Sequence, residues 1–182
     1  ADLPHDVCDE LRAAALHLPL AVSSTRTPIS AELRVTDATP TAGGVTAAQI
    51  PGKIARALYR RSEIRGAHLK LEEPILPDPN VEKLIPRTAE VYNLMYVLRW
   101  KVARAYTFRE TARINLQEMR AVAAEVRAAA SLPCHQPRRH VVAIDSQVCV
   151  GALGKGRSSS YRLNGITRAM MFFLAAARLV LA

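Results

Sequence analysis

The chain has 182 residues, of which 49% are hydrophobic, and its 25 basic residues outweigh 16 acidic ones for a formal charge of +9. That apolar content is enough to bury a core as one domain, or one domain plus a fragment, which sets aside a disordered tail. An excess of cations, most of them arginine, suits an anionic partner, with nucleic acid ahead of a membrane surface.

The first residues carry Asp2, Asp6, Asp9 and Glu10, the opposite of the basic region that opens a secretory signal. The C-terminal run MMFFLAAARLVLA is too short to span a bilayer and contains Arg178, so it reads as a buried helix. The expected location is intracellular, cytoplasmic or nuclear, with no membrane partner. Cys8, Cys134 and Cys149 are widely spaced and form no C-x-x-C pair, as expected of reduced, structural cysteines. Cys134, His135 and His140 then belong to a loop and its flank, not to a zinc site.

In chain order, DVCDELRAAALHL has helical spacing, and a proline-marked, Ser/Thr-rich connector follows up to residue 28. Leu33 and Val35 alternate with Arg34 and Thr36, the period of a half-buried strand, and Asp37 falls on its apolar face. ATPTAGG supplies a turn leading into VTAAQI, which predicts a hairpin. Residues 51–87 read as an insertion, helical over KIARALYRRSEI and broken by prolines further on. Val91, Leu94, Met95 and Leu98 predict a helix, and Tyr106 and Phe108, alternating with Thr107 and Arg109, a strand. NLQEMRAVAAEVRAAA is a helix with Met119, Val122 and Val126 on one stripe, ended before Pro133. HVVAI is a continuous apolar run suited to a central strand covered on both faces. Ser146 is placed to cap a short helix stopped by Gly154, and GKGRSSS reads as a flexible basic loop. A last helix is expected to carry Leu163, Ile166, Met170, Phe173, Leu174, Ala177 and Leu181 on one side and to run to Ala182.

Asp145 stands at the end of the apolar HVVAI run, Asp37 at the end of the first strand, and Glu118 near the start of the alanine-rich helix. Singly, each has an ordinary explanation as a turn, cap or helix-start residue. Together VTDATPTAGG, INLQEMRAV and IDSQVCVGAL resemble, in order, the three motifs of ribonuclease H, and ARINLQEMRAV with VVAIDSQVCVGALGKGRSSS resembles the ribonuclease H part of a retrotransposon polyprotein. The resemblance covers about residues 31–182. It implies an α/β, ribonuclease H-like mixed central sheet flanked by helices over residues 29–182, with residues 1–28 as the tail of a preceding reverse transcriptase-like unit. The chain begins at Ala1 and has no candidate for the family's fourth acid before Ala182, so a C-terminally truncated domain is expected.

The resemblance further implies that Asp37, Glu118 and Asp145 are catalytic metal ligands for two Mg²⁺ ions, with Mn²⁺ as a substitute. Asp37 would bridge the ions and Glu118 would hold the one on the leaving-group side. Burying a bare carboxylate is costly, and magnesium prefers hard oxygen ligands, so acids converging from two strands and a helix suit a divalent cation. The implied substrate is the RNA strand of an RNA·DNA hybrid and the implied partner is the reverse transcriptase portion of the same polyprotein. Asn115, Ser146, Gln147, Lys155 and Arg157 are the candidate nucleic-acid contacts. The flanks differ from the family at Ala38, Arg113 and Gln117, which keeps a second expectation open: an inactive ribonuclease H-fold module that binds nucleic acid or a polymerase.

Overall fold

A computed structural model describes residues 4–17, 24, 26–62 and 93–181. Its centre is a five-stranded mixed sheet in the order β3-β2-β1-β4-β5. The strands are β1 (Ile29–Ala38), β2 (Ala42–Gln49), β3 (Lys101–Thr107), β4 (Arg139–Ile144) and β5 (Val180–Leu181). β1 to β3 form an antiparallel meander, while β4 lies parallel to β1 and β5 parallel to β4. The helices are α1 (His5–His17), α2 (Gly52–Ser62), a short α3 at 93–97, α4 (Ile114–Ser131), α5 (Gln147–Lys155) and α6 (Tyr161–Ala176). The mixed sheet flanked by helices agrees with the fold class expected from sequence at that level of description.

Apart from α1, the helices divide between the two faces of the sheet. On one face, Ala55, Leu58 and Tyr59 of α2, with Met95, Leu98 and Trp100, close over Leu33, Ile50 and Val141. On the other, Val122 and Val126 of α4 pack with Met170 of α6 and with Ile144 and Leu181 of the sheet. Leu116 and Met119 of α4, Cys149 and Ala152 of α5 and Leu163 of α6 join the three helices. Each large apolar side chain removed from water in this way contributes about 1.5–3 kcal/mol.

Several elements differ from the sequence expectation. β1 is covered on both faces: Arg34 and Thr36, assigned to a polar face, are buried, and Asp37 is exposed. The cause lies in the sheet order, because a strand third of five has a helix over each side. Gly43 and Gly44 belong to β2, not to the turn, which Thr39 closes by accepting from Ala42 and donating its own amide back to the Ala42 carbonyl. A Cβ on Gly43 would stand 2.8 Å from the Tyr106 ring of β3, so this glycine is required by a close approach. The opening of the expected insertion, α2, is an integral layer of the fold, and residues 63–92 lie outside the described set. α5 continues through Gly154 to Lys155 and ends at Gly156, whose φ of 64° suits a residue without Cβ.

The last helix stops at Ala176, six residues short of the expected end at Ala182. Arg178 turns the chain at a φ of 51°, and Val180 and Leu181 pair with Arg139 and His140 as β5. Helical spacing in the sequence continues through this stretch, but the open edge of β4 offers backbone partners that the local pattern does not reveal. No helix among the described residues is long and apolar enough to cross a membrane.

Candidate active site

β1 and β4 run parallel, and their last register pair is Thr36 with Ile144. Asp37 follows Thr36 on β1 and Asp145 is the first residue after β4, so they stand at the C-terminal ends of neighbouring strands, which run about 4.8 Å apart. The chain leaves β1 toward β2 and leaves β4 toward β5, in opposite directions across the sheet. A crevice at the carboxyl ends of strands whose connections part in this way is the usual ligand position in an open α/β sheet.

α4 brings the third acid. Gln117 is wholly buried, and its amide donates to the Pro40 carbonyl in the β1–β2 turn at 2.8 Å and to the Glu110 carbonyl at 2.9 Å. Its own oxygen accepts from Arg120 at 2.9 Å. Gln117 therefore ties the first turn of α4 to the end of the sheet where Asp37 lies, and Glu118 is carried with it. Glu118 is 9% exposed and has no cation within ion-pair distance among the described residues. Its Oε2 is 4.0 Å from the Sγ of Cys149, whose thiol also donates to the Asn115 carbonyl at 3.4 Å. Burial pushes the Cys149 thiol above its ordinary value, and the charges of Glu118 and Asp145 push the same way while a hydrogen bond with Ser146 opposes them. Cys149 thus marks the common neighbourhood of Glu118 and Asp145.

Asp37 and Asp145 are both exposed, so of the three acids only Glu118 occupies the buried setting anticipated for all of them. Strand ends reach solvent even when strand middles do not. One Asp37 oxygen accepts from the Ala38 amide at 2.7 Å. Among the described residues no three carboxylate, imidazole or thiol groups are gathered closely enough to hold a metal ion. The donor set fits a hard divalent cation in kind, being three carboxylates of which the buried one has no cation within ion-pair distance among the described residues.

The candidate nucleic-acid contacts separate into two groups. Gln147, Lys155 and Arg157 line one open groove of about 490 Å³, together with Val148, Gly151, Ala152, Ser158 and Ser159. Asn115 is exposed, and its carbonyl is taken by Cys149. Ser146 is buried, and its hydroxyl accepts from the Cys149 amide at 3.4 Å as the cap of α5. The loop between α5 and α6 is pinned, contrary to the flexible reading. Asn164 accepts from the Ser158 amide at 2.6 Å and donates to the Ser158 carbonyl at 2.7 Å, and Ser160 caps α6. The clamp fixes the loop carrying Arg157 against α6, beside the end of the helix that carries Lys155.

A second polar cluster, absent from the sequence reading, lies further along α4. Glu125 is 2% exposed. It pairs with the buried guanidinium of Arg34 and with Arg104 at 3.3 Å, and Arg34 also holds Glu32 at 2.6 Å. His135 approaches Arg34 at 3.4 Å, and His140 contacts the His135 carbonyl at 3.1 Å. Burial, aided by the positive charge of Arg34, holds both imidazoles below their ordinary value. The signal available in the sequence was an acid seven residues after Glu118, two helical turns along the same face. A face shared with the buried stripe requires a partner for that acid.

Comparison with protein-family models, curated proteins and solved structures returned no match.

Proposed function

We propose that the chain is a ribonuclease H-type module that hydrolyses the RNA strand of an RNA·DNA hybrid with divalent metal, within a retroelement polyprotein beside its reverse transcriptase. The observation that carries the reading is the pairing of Asp37 and Asp145 at adjacent parallel strand ends, with Glu118 tied to the same end through Gln117. Apart from α2 and α3 between β2 and β3, the order of elements, strand with Asp37, hairpin, strand, helix with Glu118 and strand before Asp145, is the one implied by the sequence resemblance.

Asp37, Glu118 and Asp145 would hold Mg²⁺ or Mn²⁺. Such ions, when bound, would supply an activated water and neutralise charge developing on the phosphate. The protein contributes position and charge. Gln117 holds the start of α4 against the β1–β2 turn, and Ser146 holds the start of α5 beside Asp145. Lys155 and Arg157 offer the groove two cations for backbone phosphates, and Gln147 offers an amide for hydrogen bonding to the hybrid.

Asp145→Asn tests the assignment, because the side chain is exposed and its loss should spare the fold. Magnesium-dependent cleavage of a labelled hybrid should disappear while the melting temperature stays within about 2 °C of the parent, the shift expected for under 1 kcal/mol. Undiminished turnover would remove Asp145 from the mechanism. The separation of the acids into exposed and buried positions favours a second reading, an inactive ribonuclease H-fold module that binds the hybrid. Tight hybrid binding by the parent protein without cleavage in magnesium or manganese would select it.

A further inference from the structure

α2 carries four basic residues and no acid in GKIARALYRRS. Its apolar side, Ile54, Ala55, Leu58 and Tyr59, is spent on the sheet face formed by Leu33 and Val141. Lys53, Arg56 and Arg60 are exposed on the remaining side, and no acidic partner meets them among the described residues. Arg139 of β4 adds a further cation next to the helix, with its guanidinium 5.0 Å from the centre of the Tyr59 ring.

This arrangement costs folding free energy. Lys53 and Arg56 are three residues apart and Arg56 and Arg60 four apart, and like charges at these spacings destabilise a helix slightly. Lys53 also sits in the first turn, at the positive end of the helix macrodipole. Some other cations of the fold are paired among the described residues: Glu125 takes Arg34 and Arg104, and Glu110 lies 3.9 Å from Arg120. Three like charges spaced along one side of α2, with no acidic partner among the described residues, suit an external anion.

We infer that the outer side of α2 is a second nucleic-acid surface, contacting a phosphodiester backbone through Lys53, Arg56 and Arg60 on the sheet face opposite α4 and α6. The rise of the helix places Lys53 and Arg60 about 10 Å apart along its axis, the reach of roughly three nucleotides of a duplex strand. A membrane surface fits less well. An interfacial helix must offer a free apolar side to the lipid, whereas Ile54 and Leu58 of α2 are already packed and Ala57 is the one exposed apolar side chain of α2 among the described residues. The inference is independent of the nuclease reading, since it concerns backbone contact on the other side of the sheet.

The test is a salt titration of affinity by fluorescence anisotropy, using the full chain, a labelled 16-base-pair RNA·DNA hybrid and a DNA duplex of equal length. Lys53→Ala/Arg56→Ala/Arg60→Ala should lower the slope of log affinity against log salt by up to about 2.7, at about 0.9 per lost phosphate contact. Lys155→Ala/Arg157→Ala should lower it separately, and the two reductions should add if the surfaces are independent. Circular dichroism and melting check the fold, with glutamine at the same three positions as a second variant set should the alanine set unfold. An unchanged slope in a folded triple variant, with alanine or glutamine, would overturn the inference. So would loss of binding confined to phosphatidylserine/phosphatidylcholine vesicles, which would assign the stripe to lipid.

Discussion

Glu125→Ala provides the sharpest test of the interior. The side chain is 2% exposed, and its removal leaves Arg34, itself 6% exposed, without one of its two carboxylate partners. Breaking a buried ion pair from one side costs about 3–5 kcal/mol, because the surviving charge stays desolvated. Arg34 retains Glu32 at 2.6 Å, and Arg104 is partly exposed and able to turn to water, so the loss should fall near the lower end, about 3 kcal/mol. A domain of this size has a total stability of about 5–15 kcal/mol, so the effect is large and readable by urea denaturation. The expected result is a midpoint shifted well down with the slope of the unfolding line unchanged. Arg34→Met with Glu125→Leu should recover most of the loss, since apolar residues of similar volume replace a buried pair at little cost. A loss below about 1 kcal/mol in Glu125→Ala, the range of a surface pair, would refute the buried-network argument.

Gly43→Val should destabilise the sheet by about 1–3 kcal/mol, because its Cβ would overlap the Tyr106 ring, and the penalty should shrink on a Tyr106→Ala background. Equal penalties on both backgrounds in urea titrations would show that the ring is not the obstacle. His135 and His140 predict a pH dependence of stability, since both are held below their ordinary value in the folded chain. The unfolded chain takes up protons near about pH 6.5 that the folded chain refuses. Their contribution should be fully present above that value and decline as pH falls through the window down to the folded values. His140→Gln, measured by urea unfolding between pH 7.5 and 5.5 as a design range of about two units around the imidazole value, should flatten the decline. An unaltered profile would exclude His140 as a source of it.

Much of the secondary structure was legible from local pattern. The stripe of Met119, Val122 and Val126 specifies α4, the alternation around Leu33 and Val35 specifies β1, and Ser146 announces the start of α5. These signals are local, because a helix or strand repeats its inward positions every three to four or every two residues. The acids at the ends of β1 and β4 were visible for the same reason, as charges that terminate apolar runs. What only the tertiary structure decided involves partners distant in the chain. Arg34 meets Glu125 across 91 residues and Gln117 meets Pro40 across 77, and nothing in either local pattern selects those pairings. The exposure of Asp37, the burial of Arg34 and the departure of Val180 and Leu181 from helix into strand likewise follow from position in the sheet. A strand flanked by two others and covered by helices must bury whatever side chains its pleat turns inward, and an open strand edge recruits the nearest backbone able to pair with it.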